Sequence, residues 1–274
     1  MTVDLHVHTT ASDGLVTPSD VVSAALDLEL KVISITDHDS VEGVDEALDA
    51  ARGSALEVLP GVELSVRAED GSDVHLLGYL IDHRDPALLG ALQRLRTARL
   101  ERAAAMVAAL AEAGHEVDLD TVLRNAAGGA VGRVHVARAL VDAGSVPTIE
   151  QAFADLIGRE GPYYVRKAFF SPDEALALIH GAGGVAVLAH PGVSGEGSLV
   201  RLVDAGLDGI EAYHAEHTVA QRAHFAAAAE HFDLVATGGS DFHGPGMRSA
   251  GLGCGECPEG AVEALRERAT ILRP

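Results

Sequence analysis

Cysteine and the large aromatic residues are scarce in this chain. Its 274 residues include two cysteines, Cys254 and Cys257, and no tryptophan, and aromatic residues make up 4% of the composition. One C-x-x-C pair excludes a disulfide scaffold and falls short of the four ligands of a structural zinc site. We therefore interpret the two cysteines as reduced thiols in a Gly/Pro-rich loop. The small number of aromatic residues argues against a stacking platform for single-stranded nucleic acid.

Positive charge is also scarce. The chain has 20 Lys and Arg residues against 41 Asp and Glu residues, which gives a formal net charge of −21. Proteins that coat nucleic acids or bind anionic membranes use clustered Lys and Arg, so we expect neither an extended nucleic-acid surface nor a membrane partner. A local site for anions remains compatible with this charge if bound metal ions supply the positive charge.

Long apolar runs are missing as well. The N-terminal segment 2–6 has no basic region before an apolar stretch, so no signal peptide or membrane span is predicted and we expect a cytoplasmic protein. The apolar content of 47% is nevertheless high enough to bury a substantial core.

Short β-branched runs alternate with Ala- and Leu-rich helical segments along most of the chain. This alternation is typical of parallel strands joined by crossover helices. One helix start is well marked, because Thr17 can cap a helix that has Pro18 in its first turn. The predicted strands are Val3–Val7, Lys31–Ile35, Leu56–Val66, Val74–Ile81, Val185–Ala189, Gly209–Tyr213 and Leu234–Thr237, and the predicted helices lie at 18–28, 44–52, 198–205, 217–231 and 259–268.

Residues 86–160 interrupt this alternation with patterns at helical spacing and Gly/Pro breaks between them. We therefore predict a barrel formed by residues 1–85 and 161–274, with 86–160 as an all-helical insertion that covers the active site. The helical patterns of the insertion lie at 86–113, 118–126, 133–143 and 148–157.

Polar residues cluster where nearly every predicted strand ends. In parallel α/β barrels the loops at the carboxyl ends of the strands form the active site, so we expect these clusters to meet at one mouth. The clustered residues are His6, His8 and Asp13; Thr36, Asp37, His38 and Asp39; Glu63; His75; His190; His214 and His217; and Ser240, Asp241, Phe242 and His243.

The residue types in these clusters suit a metal centre. His6 and His8 lie two apart on a strand, so their rings point to the same side and can chelate a cation. The carboxylate of Glu63 has two oxygens and can bridge two cations. Imidazole and carboxylate ligands suit Zn, Mn or Fe, while the absence of thiolates at the strand ends disfavours a closed structural site. A lone H-x-H is weak evidence, but five independent clusters of ligand type are not explained by chance.

Five motifs occur in order along the chain: His6-x-His8 with Asp13, Thr36-Asp37-His38-Asp39, Pro60-Gly61-Val62-Glu63, Ala189-His190-Pro191 and Ser240-Asp241-Phe242-His243. Together they resemble the motifs of the polymerase and histidinol phosphatase (PHP) superfamily, over residues 3 to about 253. This resemblance implies an α/β fold, a distorted (β/α)7 TIM-like barrel, that holds three divalent metal ions (Mn, Fe or Zn). The implied ligands are His6, His8, Glu63 and Asp241 for the first ion, Glu63, His75 and His190 for the second, and Asp13, His38 and His243 for the third.

The insertion is similar to that of the TrpH-like branch at 132–138 and 164–167. Members of this branch act as phosphatases on nucleoside 3′,5′-bisphosphates and as 5′-to-3′ trimming ribonucleases. The branch often has Pro where this chain has Val134 and again near Arg166, and neither position supplies a metal ligand. The residues expected to bind substrate are Arg133, His135, Lys167, His217 and Arg248.

The resemblance implies hydrolysis of a phosphomonoester of a small nucleotide, through attack by a hydroxide that bridges two metal ions. Three dications and the three carboxylate ligands would leave a charge of about +3, which attracts a phosphate dianion. A guanidinium such as that of Arg133 can grip two phosphate oxygens at once. The expected catalytic residues are Asp13, His38, Glu63, Arg133 and His243.

Four other functions are weighed against this one. A 5′-3′ exoribonuclease that trims short 5′-phosphorylated RNA would share every metal ligand and differ only in its leaving group. A histidinol-phosphate phosphatase is disfavoured by the insertion. Amide hydrolases with H-x-H commonly use a lysine bridge, whereas Glu63 stands in the bridging position here. A non-catalytic metal-binding module would be expected to have lost ligands.

Overall fold

The computed structural model describes residues 2–68, 71–126, 129–194, 199–247 and 250–272. Contacts within the chain divide it into two compact units, one formed by Met1–Gly90 with Phe169–Pro274 and the other by Ala91–Ala168.

A seven-stranded sheet forms the centre of the first unit, with its strands in chain order. Each strand end lies within about two residues of the predicted position, because short apolar runs bounded by turn residues mark buried strands clearly. The architecture confirms the predicted α/β barrel. The strands are β1 (Val3–Val7), β2 (Val32–Ile35), β3 (Glu57–Arg67), β4 (Asp73–Tyr79), β5 (Val185–Leu188), β6 (Gly209–His214) and β7 (Val235–Gly239).

The direction of β4 departs from the expectation of parallel strands. β4 pairs antiparallel with both β3 and β5, while the other neighbouring strands run parallel. Arg67 at the end of β3 pairs with Asp73 at the start of β4, so only five residues connect these strands. A parallel crossover needs a dozen or more residues, which makes the hairpin the only available connection. The expectation of an all-parallel barrel was therefore wrong at this strand.

The sheet curls until its first strand meets the segment after its last. The backbone N–H of His8 donates to the carbonyl of Phe242 at 2.9 Å, and Val7 and Phe242 form a parallel bridge. Buried apolar side chains such as Leu5, Leu77 and Val187 fill the core of this unit. In the closed sheet the carboxyl ends of the six parallel strands face a common region, and the first half of the antiparallel β4, with His75, lies on the same side.

Helices connect most of the strands. Two of them were not predicted from the sequence, the short Pro191–Ser194 and the longer Pro172–Gly181. Ser171 caps the longer helix, and the Glu174 carboxylate accepts the Ser171 backbone N–H in a capping box. The helices are α1 (Pro18–Asp27), α2 (Val44–Ala50), α3 (Pro86–Glu112), α4 (Leu119–Ala126), α5 (Arg133–Asp142), α6 (Ile149–Ala152, continued by a π-helical turn at Phe153–Ile157), α7 (Pro172–Gly181), α8 (Pro191–Ser194), α9 (Leu199–Asp204), α10 (Val219–His231) and α11 (Ala261–Leu272).

The second unit is built from helices around its own core. Met106 and Leu110 of α3 pack with Val136 and Leu140 of α5 and with Ile157, and all five side chains are buried. This cluster shows why the segment can form a compact unit of its own. Among the residues described in either unit, no helix combines the length and apolar character that a membrane span requires.

Candidate metal centre

The centre begins with two histidines at the end of β1. His6 lies in the strand and His8 follows it, and both side chains are fully buried. Alternation along the strand turns both rings to the same side, where their Nε2 atoms lie 3.1 Å apart. β7 runs so close to this strand that a Cβ at Gly239 would clash with the Cβ of His6. A glycine in β7 is therefore required beside the first histidine.

Glu63 of β3 lies at the middle of the centre and is fully buried. Its carboxylate faces imidazoles that come from β1, from the turn after β2, from β4 and from the turn after β5, so four parts of the fold surround one side chain. The nearest nitrogens are His38 Nδ1 at 2.9 Å, His75 Nδ1 at 2.9 Å, His190 Nε2 at 3.0 Å, His8 Nε2 at 3.2 Å and His6 Nε2 at 3.4 Å.

A second carboxylate, that of Asp13, lies close to another set of imidazole nitrogens. Its oxygens lie 3.3 Å from His243 Nε2, 3.8 Å from His8 Nδ1 and 3.9 Å from His38 Nε2. The Asp13 side chain is 40% exposed, in contrast to the buried Glu63. This edge of the centre is therefore open to solvent.

The nine ligands predicted from sequence all fall into overlapping groups whose donor atoms lie within 4.8 Å of one another. His8, Asp13, His38 and His243 form one such group, which contains the whole ligand set expected for the third ion. His75 and His190 fall in different groups, although both rings face the same oxygen of Glu63, Oε1, at 2.9 and 3.0 Å.

The donor set fits divalent cations. His8 Nδ1 is a buried atom that has no hydrogen-bond partner among the described residues, since the nearest Asp13 oxygen lies 3.8 Å away. Buried polar atoms are normally satisfied, and a bound cation would supply the missing partner. The mixture of neutral imidazole and carboxylate donors is the one that Zn, Mn and Fe accept.

Electrostatics inside the cluster favour ionised carboxylates. Burial by itself would raise the pKa of Glu63, but the charges of His38, His75 and His6 hold this pKa well below its ordinary value. Burial would lower the pKa of His8, yet hydrogen bonds with Asp241 and Glu63 raise it to about 10. Without cations His6 and His8, whose pKa values are both raised, therefore hold protons that bound metal ions would displace, whereas burial lowers the pKa of His75 to about 4.

Strained backbone occurs at three strand ends in this region. Asp39, His190 and Asp241 have φ values of 49°, 28° and 54°, in the left-handed region that L-residues rarely adopt. Such strain persists where the surroundings hold it and is concentrated at functional sites. At Asp39 the strained backbone is held by Ser65, whose backbone N–H and hydroxyl donate hydrogen bonds to the two carboxylate oxygens.

Two buried acids in this region were missed as functional residues by sequence reasoning. Asp37 accepts hydrogen bonds from the backbone and hydroxyl of Thr9 and from the hydroxyl of Ser12, which shapes the loop that leads to Asp13. Glu211 of β6 contacts His6 at 3.0 Å. The available signal for Glu211 was its position between Ile210 and Ala212 in a strand whose other residues are largely apolar.

Of the residues predicted to bind substrate, Arg133, His135 and Lys167 lie in the helical unit. Arg133 begins α5, its Nη1 donates to the Ile157 carbonyl at 3.3 Å, and its guanidinium faces the Tyr164 ring at 5.4 Å. His135 Nδ1 accepts the Gly132 N–H at 3.0 Å and so caps the same helix. Lys167 is half-buried, and Arg248 lies outside the described residues.

His217 lies in the barrel unit and is buried. Its Nδ1 donates to the Ala212 carbonyl at 3.0 Å, and its Nε2 accepts the Gly192 N–H at 3.1 Å. These hydrogen bonds join β6 to the turn that follows His190 and hold this turn in place. A substrate contact through either ring nitrogen would require one of these bonds to break.

Comparison with known proteins agrees with this geometry. The PHP domain model matches residues 4–128. A 3′,5′-nucleoside bisphosphate phosphatase from Chromobacterium violaceum is 37% identical, and the alignment covers 99% of this chain and 98% of that protein. A 5′-3′ exoribonuclease from Haemophilus influenzae is 36% identical over 88% of this chain and 90% of its own length.

The fold also matches a solved structure. A protein from Bifidobacterium adolescentis, assigned as a metal-dependent phosphoesterase, superposes with a TM-score of 0.85 at 34% identity and covers 97% of this chain and 96% of its own. The sequence motifs, the barrel and the cluster of metal-type donors agree with one another. The chain therefore belongs to the PHP family of metal-dependent phosphoesterases.

Proposed function

We propose that this chain is a phosphatase that hydrolyses a phosphomonoester of a small nucleotide, a nucleoside 3′,5′-bisphosphate or a nucleoside monophosphate. The observation that carries the proposal is the position of Glu63, whose carboxylate faces five imidazole nitrogens within 3.4 Å. A carboxylate placed in this way can bridge two cations, which is the arrangement that clamps the oxygens of an in-line displacement at phosphorus. The bisphosphate substrate is that of the Chromobacterium violaceum relative.

The proposed centre holds three divalent ions of Mn, Fe or Zn. When bound, such ions lower the pKa of water and polarise phosphoryl oxygens. The residues supply positions for these ions, and the fully buried His6, His8 and Glu63 exclude solvent on the inner side. The proposed ligand sets are His6, His8, Glu63 and Asp241; Glu63, His75 and His190; and Asp13, His38 and His243.

The charge of the centre matches a phosphate. Three dications with three carboxylate ligands leave about +3, while the rest of the chain is strongly acidic. Such a field is focused at one place and attracts a compact anion, whereas a long polyanion is repelled by the surrounding acidic surface. The charge distribution supports a small phosphorylated substrate.

The helical unit contains half of the positively charged side chains of the chain and could itself bind an anion. Residues 91–168 contain ten of the 20 Lys and Arg residues and nine of the 41 acids, so their net charge is about +1 against about −22 for the rest. Arg133 and Arg102 contact carbonyl oxygens and the ring of Tyr164, and these contacts leave both charges unneutralised. Burial and the nearby Arg133 and Arg99 lower the pKa of Arg102 to about 10, at which it still carries its charge at neutral pH.

We assign Arg133 as the phosphate-binding side chain of this unit. Its guanidinium can form two parallel, charge-assisted hydrogen bonds to phosphate oxygens, which a lysine cannot do. Its position over aromatic rings restrains it: the ring of Phe153 lies 5.2 Å and that of Tyr164 5.4 Å from the guanidinium carbon. A restrained side chain loses less entropy when it binds.

A 5′-3′ exoribonuclease acting on short 5′-phosphorylated RNA is the second candidate. The Haemophilus influenzae relative is named for this activity, and its alignment includes most of the chain. The two functions need the same centre and differ in the leaving group. Removal of single nucleotides from an RNA end requires little basic surface, so the acidity of the chain does not exclude it.

The test is a substrate panel with manganese-loaded protein. The panel contains 3′-phosphoadenosine 5′-phosphate, AMP, histidinol phosphate and a short 5′-phosphorylated RNA, with metal-stripped protein as the control. We expect kcat/KM to be highest for the bisphosphate and activity to disappear with the metal. A higher value for the RNA would select the exoribonuclease, and failure of the protein to hydrolyse any of the four would overturn the phosphoesterase assignment of this site.

A further inference from the structure

β6 carries two fully buried polar side chains that belong to none of the proposed ligand sets, Glu211 and His214. Residues three apart on a regular strand point to opposite faces. Here the pairing of β6 with β7 shifts register between Glu211 and Tyr213, and such a bulge inserts one residue and re-aims the next side chains. Glu211 and His214 consequently both reach the side of the strand where His6 lies, and donor atoms of all three lie within 4.8 Å of one another.

The carboxylate of Glu211 accepts a hydrogen bond from the ring of His6. His6 Nδ1 lies 3.0 Å from Oε1 and 3.2 Å from Oε2 of Glu211. A carboxylate only accepts, so Nδ1 donates and the opposite nitrogen, Nε2, is the one left to bind a cation. That nitrogen points at Glu63 and Asp241, at 3.4 and 3.5 Å.

The same carboxylate also holds the main chain after β5. Its Oε2 accepts the backbone N–H of His190 at 2.8 Å. His190 has a positive φ of 28°, and its ring Nε2 lies 3.0 Å from Glu63. One side chain of β6 thus restrains a donor on β1 and a donor in the turn after β5.

His214 stands in a comparable relation to Asp241. Its Nδ1 accepts the backbone N–H of Glu216 at 3.2 Å, which leaves the proton on Nε2. Nε2 lies 3.5 Å from Asp241 Oδ2. Glu211 Oε2 already accepts the His190 N–H, and the His6 nitrogen that faces Glu63 and Asp241 is Nε2, so we interpret His6 as the ligand and Glu211 and His214 as a supporting layer.

We propose that Glu211 is a positioning residue of the metal centre: it holds His6 in the tautomer that presents Nε2 to a cation and fixes the backbone that carries His190. This inference rests on the proposed metal-dependent function. Outer partners of ligating histidines orient the ring and raise its basicity, and their removal typically weakens metal binding by about 10- to 100-fold.

The test compares Glu211→Gln and Glu211→Ala with a matched control, Asp208→Asn. Asp208 is also a buried acid that pairs with a histidine and a backbone N–H, since its Oδ2 lies 2.7 Å from His180 Nε2 and 2.8 Å from the Ala186 nitrogen. It precedes β6 and so lies at the opposite end of the strands from the centre. Both substitutions to amides remove one charge and keep the side-chain shape.

Manganese affinity and stoichiometry are measured by equilibrium dialysis, so the result does not depend on a substrate. We expect the affinity of both Glu211 variants to fall by about 10- to 100-fold, with the Gln variant less affected because its amide oxygen can still accept from His6. Excess manganese should restore kcat of the Gln variant. Asp208→Asn should bind manganese as the wild type does, even if it lowers the melting temperature.

Nitrogen-15 NMR of zinc-loaded protein gives a second readout, because a bound cation displaces the proton from one ring nitrogen of His6 and the spectrum reports which nitrogen keeps its proton. We expect Nδ1–H in the wild type and a mixture of Nδ1–H and Nε2–H forms in Glu211→Ala. Wild-type affinity in both Glu211 variants would overturn the inference, and so would an unchanged tautomer in Glu211→Ala. A wild-type protein that binds no manganese would instead overturn the proposed function.

Discussion

Replacing Glu63 with Gln removes one negative charge and one acceptor from the middle of the centre while the shape of the side chain stays nearly the same. The carboxylate of Glu63 is fully buried and lies within 3.4 Å of five imidazole nitrogens, so no other described residue occupies an equivalent position. An amide has only one acceptor oxygen and cannot bridge two cations. We expect the variant to lose metal and activity together.

The size of the effect follows from linkage between binding and folding. At a manganese concentration of about 100 times its Kd, one bound ion stabilises the folded state by about 2.7 kcal/mol. In a unit of this size 1 kcal/mol corresponds to roughly 2–4 °C, so manganese should raise the melting temperature by about 5–10 °C. If the affinity falls by about 100-fold, the same concentration stabilises by about 0.4 kcal/mol and the shift shrinks to about 1 °C.

The assay is differential scanning fluorimetry of each variant with and without manganese. The shift is taken within one variant, so any change in the stability of the metal-free protein cancels. Glu57→Gln is the matched control, because Glu57 begins the same strand but pairs with Arg266 on the exposed surface. A Glu63→Gln protein that keeps the full manganese shift and wild-type turnover would refute the bridging role.

Three further predictions concern other parts of the molecule. Arg133→Ala should lower kcat/KM by about 10- to 100-fold through KM while metal content by mass spectrometry is unchanged, and loss of metal would contradict a phosphate-binding role. Leu140→Ala empties a fully buried position of the helical core and should cost about 2–5 kcal/mol in urea unfolding, which an unchanged midpoint would contradict. Burial raises the pKa of Cys257 to about 12 while Cys254 is exposed, so iodoacetamide at pH 8 should label Cys254 first; equal labelling of both thiols would contradict this.

The helix Pro172–Gly181 shows that some of the elements that were not predicted do have a recognisable signal in the sequence. Ser171 followed by Pro172 and by Glu174 three residues after the cap is a recognisable helix start, although this helix is not among the predicted ones. The antiparallel direction of β4 could also have been predicted from the sequence. Only five residues separate it from β3, and that spacing permits a hairpin alone.

The role of Glu211 and His214 as a supporting layer could not have been predicted from the sequence. Glu211 lies 205 positions from His6, and their contact depends on the closure of the barrel and on the bulge in β6. A register shift reverses the faces of the residues that follow it, and local pattern alone does not report it. For the same reason, the sequence did not show that the His217 ring bonds to the backbone of the turn after His190.

The strand positions, the kinds of donor at the strand ends and the membership of the family were determined by the sequence itself, because each depends on residues close together in the chain. The direction of β4, the pairing of Glu211 with His6 and the sharing of Glu63 among five imidazoles were decided only by the tertiary structure. These features join residues that are far apart in the chain, and their distances are set by how the strands curl into a barrel and close on each other.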